Sequence, residues 1–82
     1  MPELTSMADK IIQYRHERKL SQFEFACDCG ISTDNLGMIE RVTGNPTLDT
    51  MQKIAAYMDI TVSDLLDPTK PLPQRDSKEV QK

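Results

Sequence analysis

The side chains with the most chemistry to offer are two thiols, one imidazole and a knot of cations. Cys27 and Cys29 stand two residues apart. On a helix that spacing points them to different sides, so they cannot easily bond to each other. His16 is the sole histidine, which leaves too few ligands for a zinc site with these two. The buried habit of free cysteine predicts one buried and one half-exposed thiol, with a redox sensor as the sharper alternative. Arg15, His16, Arg18 and Lys19 form the cationic knot. It reads as an ordinary helix C-terminus favoured by the dipole, or as a phosphate anchor. A Gly-rich phosphate loop, a carboxylate pair on a plausible cleft and a metal-spaced ligand set are all missing, so neither an enzyme nor a cofactor is expected.

The chain has 82 residues, enough for one small domain. Apolar residues make up 38% and aromatic ones 5%, with no Trp, which predicts a thin core of Leu, Ile, Met, Phe and Ala. No apolar run approaches the ~18 residues of a membrane span. The first residues lack the basic and then apolar pattern of a secretory signal, so the cytoplasm is the expected compartment. Ten Lys and Arg against thirteen Asp and Glu leave a net charge of −3. That argues against a generic polyanion binder but leaves room for a local basic patch.

These groups must be held by helices, because no alternating strand pattern is present and the punctuation is of the helical kind. Ser6 is a candidate cap for a first helix, with Met7, Ala8, Ile11, Tyr14 and Arg15 on one stripe. Ser21 and Glu24 have the spacing of a capping box, and Leu20 and Phe25 that of a hydrophobic staple. Ile31, Ser32 and Leu36 repeat this grammar for a third helix, about 32–41. Thr47 caps a fourth, whose stripe is Leu48, Met51, Ile54, Ala55 and Met58. Ile60, Thr61, Asp64 and Leu65 open a fifth, with Asp64 at the boxed position. The organisation expected is an all-α block of five helices over residues 6–66. A polar, Pro-rich tail over 67–82 is expected to be disordered. Gly30 follows the second helix and Ser32 restarts the chain, a turn short enough to force a steep crossing.

The stretch Gln22–Arg41 resembles the helix-turn-helix of the phage-repressor/Cro-type (XRE) family. Ala26 matches the small residue where the helices touch, Gly30 the turn glycine, and Phe25, Cys29, Ile31, Leu36 and Ile39 the buried apolar positions. The flanks match as well: a run from Arg15 to Ser21-Gln22 leads into the motif, Glu40-Arg41 closes it, and Asn45 to Thr50 opens the next helix. The resemblance covers residues 6–66 and implies a five-helix, lambda-repressor-like domain whose third helix enters the DNA major groove. Carried over, Gln22 contacts a phosphate or a neighbouring base edge, and Thr33, Asp34, Asn35 and Met38 face the bases. Asn35 suits adenine, Thr33 and Met38 a thymine methyl, and Asp34 cytosine N4, although Asp34 also suits the helix dipole. Arg41, Thr43 and Asn45 meet flanking phosphates, joined by Arg18 and Lys19. Arg15 and Glu40 form a partly buried ion pair. Val42 stands where the family has a left-handed glycine. A β-branched residue is strained there, so the third helix is expected to run on and cap at Gly44.

Two functions follow. The first is a sequence-specific DNA-binding transcriptional regulator, a homodimer on a two-fold operator. The second is a protein-interaction module that keeps the fold without DNA, with Phe23 as an exposed aromatic partner surface. Residues 21–41 hold one cation against four anions, a balance of −3, which favours the second. A continuous positive band through Arg15, Arg18, Lys19 and Arg41 favours the first.

Overall fold

Five helices account for the regular structure of the described residues, 2–72, in the computed structural model. They are α1 (Pro2–Glu17), α2 (Gln22–Cys29), α3 (Thr33–Glu40), α4 (Leu48–Met58) and α5 (Val62–Leu66). No strand occurs among these residues.

The caps explain where α2 to α5 begin. Ser21, Ser32, Thr47 and Thr61 each stand in extended backbone and accept an amide from three residues on. Such a side chain satisfies one of the amides that a helix start leaves without an internal partner. The Ser21–Glu24 box closes in both directions. At α5 the box is half made: Asp64 donates its amide to Thr61 Oγ1 (2.9 Å), while its carboxylate meets Lys70 Nζ at 3.4 Å.

The helix ends share one device. After α1, α2, α3 and α4 a single residue turns left-handed: Lys19 (φ 56°), Gly30 (φ 82°), Val42 (φ 58°) and Asp59 (φ 62°). In each case the next residue donates its amide five positions back: Leu20 to Arg15, Ile31 to Ala26, Thr43 to Met38 and Ile60 to Ala55. This is the Schellman closure, which satisfies carbonyls orphaned at the helix end.

Three sequence expectations need correction. Ser6 does not cap α1, which begins four residues earlier at Pro2. Proline suits a first helical turn because its missing N–H would have no partner there. Ser6 is buried mid-helix and its hydroxyl donates to the Leu65 carbonyl (3.3 Å). Nor does α3 run on to Gly44, since Val42 itself takes the left-handed position. The disorder expected from residue 67 onward does not describe Asp67–Leu72. Leu72 is buried in the core, and Lys10 Nζ donates to the carbonyls of Asp64 and Asp67, the latter at 2.7 Å. Residues 73–82, the rest of the expected tail, lie outside the described residues.

The core joins Met7, Ile11, Phe25, Ala26, Leu36, Ile39, Ile54 and Leu65. All three staples close on it: Phe25, Leu36 and Leu65 are fully buried, and Leu20, Ile31 and Ile60 pack against them from the rim. Helix α1 lies against α3 and α5, and α2 lies against α3 and α4. The scaffold thus grips α3 from behind and leaves its outer face open.

Candidate nucleic-acid interface

Three residues, Gly30 to Ser32, connect α2 to α3. Gly30 makes the reversal in a left-handed conformation, and Ala26, 1% exposed, lets the helices touch. The start of α2 and the outer face of α3 then form one open groove, lined by Gln22, Thr33, Asp34, Gly37, Met38 and Arg41. Four of the five residues expected to face bases lie together in it. Asn35 is partly buried and outside that lining, and its amide is capped by Ser32 Oγ (3.0 Å).

Behind the groove sits a charged anchor. Arg15 grips Glu40 with two bonds, Nε to Oε2 (2.7 Å) and Nη2 to Oε1 (2.9 Å). The two side chains are 12% and 7% exposed. A third Arg15 bond, Nη1 to the Leu20 carbonyl (3.0 Å), ties the turn before α2 into the same cluster. Gln22 Nε2 donates to Glu40 Oε1 (3.0 Å). One amide hydrogen of Gln22 is therefore committed inward. The other, together with its carbonyl oxygen, is what a base or phosphate could use.

The acids that weigh against DNA are largely turned to other work. Glu24 accepts the Ser21 amide in the capping box (2.9 Å). Asp28 accepts the Tyr57 hydroxyl (2.8 Å), which links α2 to α4. Glu40 is held by Arg15. Asp34 alone of the four lines the groove. The cations are spread too. Arg15 is internal, so it adds nothing to a surface band. Arg18 lies over the Tyr14 ring, 3.7 Å from its centroid. Lys19 is exposed at the left-handed end of α1. Arg41, expected on a flanking phosphate, lies back along α3, so that a Cβ added at Gly37 would meet its Nη1 at 3.2 Å. The continuous band through Arg15, Arg18, Lys19 and Arg41 is not what the fold builds.

The loop after α3 carries Thr43, whose hydroxyl donates to the Met38 carbonyl (3.0 Å), and the exposed Asn45. The Met38 methyl rests on Gly44, where an added Cβ would meet it at 3.1 Å. Phe23 is 64% exposed on α2. The thiols divide as expected, with Cys27 exposed and Cys29 buried. Burial, helped by Asp28, pushes the Cys29 thiol up to about 12, which keeps it protonated and unreactive. Among the described residues no cluster could hold a metal ion, and no helix is long and apolar enough to cross a membrane.

Lys10 escaped the sequence reading. It sits on the inward side of α1 with Ser6 and Met7, and a lysine one turn from an inward stripe was the available signal. The contacts of Gln22 with Glu40 and of Tyr57 with Asp28 had no such signal, since they join residues 18 and 29 positions apart.

A family profile described as a Cro/C1-type HTH DNA-binding domain matches residues 10–71. The HTH-type transcriptional regulator SinR of Bacillus subtilis (strain 168) is 36% identical over 62 residues, which cover 74% of this chain and 56% of SinR. SinR of Bacillus licheniformis is 34% identical over the same shares. The HTH-type transcriptional regulator DdrOP3 of Deinococcus deserti is 36% identical over 61 residues, covering 74% of this chain and 47% of that protein. The chain spans about half the length of the curated relatives it matches. No solved structure matches it significantly.

Proposed function

Because the chain belongs to the Cro/C1-type helix-turn-helix DNA-binding family, we propose that it is a sequence-specific DNA-binding transcriptional regulator of the cytoplasm. The observation that carries this reading is the groove that Gln22 forms with the outer face of α3. Helix α3 lies in the major groove, with Thr33, Asp34 and Met38 toward the bases and Gln22 and Asn35 at the margin. Arg18, Lys19, Thr43 and Asn45 meet the flanking phosphates, and the free amides at the start of α2 add another contact. A module of this size buries only about 600–1,000 Å² on DNA. The working form is therefore a homodimer, its half-sites about one helical turn apart so that both α3 helices enter the same side of the duplex. The names of SinR and DdrOP3 as transcriptional regulators support this role.

One observation favours a second reading. Phe23, 64% exposed beside the groove, suits a protein partner better than a phosphate backbone. Selection of bound DNA from a random pool at moderate salt, followed by anisotropy across a salt series, separates the two. A two-half-site motif with a shallow salt slope, about −0.9 per phosphate contacted, is the expected result. Failure to retain any sequence at low salt transfers the function to a protein-interaction module working through Phe23.

A further inference from the structure

We propose that Arg41 reads a guanine in the major groove, and that Gly37 is the seat that lets it do so. The inference rests on the DNA-binding reading above and assigns one base preference within it. Thr33 and Gly37 on α3 and Arg41, the residue that caps its C-terminus, stand four residues apart along one side of the helix. Long side chains on a helix lean toward its N-terminus, over the preceding turn. For Arg41 that turn carries Gly37, which has no side chain to block the way. The guanidinium is so near that a Cβ at Gly37 would meet Nη1 at 3.2 Å. The charge therefore lies in the groove beside Thr33, Met38 and Gln22 rather than out past the helix end.

The chemistry of the lining points to the base. Guanine presents two acceptors, O6 and N7, and is read best by a forked pair of donors. Gln22 has one N–H left after Glu40, Thr33 has one hydroxyl, and Asp34 and Met38 offer no donor. Arg41 alone supplies the fork, and it is the single cation from Ser21 to Asn45. Without it the groove offers guanine only single donors. With it, the acidic motif can still prefer a G·C pair.

The test uses the full chain and four proteins: wild type, Arg41→Lys, Arg41→Gln and Gly37→Ala. Each selects DNA from the same random pool, and anisotropy is then measured on the wild-type motif, unmodified and with 7-deazaguanine at its preferred guanine. The wild type should select one fixed guanine per half-site, and removing N7 there should weaken it on the order of ten-fold. Arg41→Lys keeps the charge but loses the fork. It should keep the salt slope and hold the guanine less tightly, because an ammonium reaches O6 and N7 without the planar fork. Arg41→Gln, whose amide suits adenine, should lose the preference, and Gly37→Ala, which crowds the guanidinium, should weaken it. A motif that keeps its guanine in Arg41→Gln, with only the salt slope reduced, overturns the proposal and makes Arg41 a phosphate contact. A wild type indifferent to the deaza base overturns it as well, without any variant that might misfold. A wild type that selects no DNA overturns this proposal together with the reading it rests on.

Discussion

Arg15 in the last turn of α1 and Arg18 just past its end lie three residues apart, yet their surroundings differ. Arg15 is buried with a bidentate carboxylate and a carbonyl. Arg18 has a tyrosine face and a loose contact with Glu17 at 3.9 Å. Removing Arg15 strands Glu40 in a nearly closed site, at a cost of roughly 3–5 kcal/mol. Removing Arg18 loses a cation–π contact worth about 0.5–1 kcal/mol in an exposed setting. Arg15→Ala should therefore unfold at much lower denaturant than Arg18→Ala, and equal midpoints would make the Arg15 anchor irrelevant to stability. The spacing of Arg15 on the inward stripe was legible in the sequence, and Glu40 as its partner came from the family resemblance. The seat of Arg41 on Gly37 was not legible, because a side chain's direction depends on what its neighbours leave open.

At the scale of the helices, Val42 carries a cost. A β-branched residue in the left-handed region is strained, and here it closes α3 where glycine would be unstrained. The expected strain is present, but α3 is closed by Val42 and does not run on to Gly44. The Schellman bonds of Thr43 and the packing of the loop hold Val42 in place. Val42→Gly should stabilise the domain by about 1 kcal/mol, after allowing for the greater freedom of glycine when unfolded. That is a rise of roughly 4–8 °C in Tm for a domain of this size, and a fall in Tm would mean that Val42 is not strained. The α2–α4 contact makes a pH prediction. Burial, then the bond to Asp28, raises the Tyr57 hydroxyl from 10.0 to about 12. The native state keeps a proton that the unfolded chain releases, so this contribution is whole below pH 10.0 and is lost as pH rises toward about 12. Cys29 acts with the same sign. Tyr57→Phe should flatten the fall in stability over that window in denaturation curves taken at stepped pH, and an unchanged slope would refute the linkage.

For the molecule as a whole, the decisive addition is the segment after α5. Leu72 is 6% exposed, and Lys10 donates to two carbonyls at the end of α5 from a site where burial pulls its ammonium below the usual lysine value. The domain therefore extends past Leu66, in keeping with a family match that ends at residue 71. Leu72→Ala should cost about 2–5 kcal/mol, the range for a leucine buried in a core. Lys10→Met should cost about 1–3 kcal/mol by leaving those carbonyls without their donor. Chemical denaturation of both variants checks this, and wild-type midpoints would return Asp67–Leu72 to the status of a tail.

The local rules were enough for much of this protein. Caps at Ser21, Ser32, Thr47 and Thr61, staples at Phe25, Leu36 and Leu65, and the turn at Gly30 all depend on residues within five positions of one another, so the sequence alone determined the five helices and the turn between α2 and α3. The start of α1 at Pro2 was missed because Ser6 has the local signature of a cap, and only Leu65, 59 residues away, gives its hydroxyl another use. The burial of Leu72 and the work of Lys10 likewise depend on α1 meeting the chain beyond α5. The groove was decided in the same way. Which amide hydrogen of Gln22 remains free and how Asp28 and Glu40 are engaged are set by contacts between helices, and a one-dimensional pattern carries no record of which side chain will fill a neighbour's space.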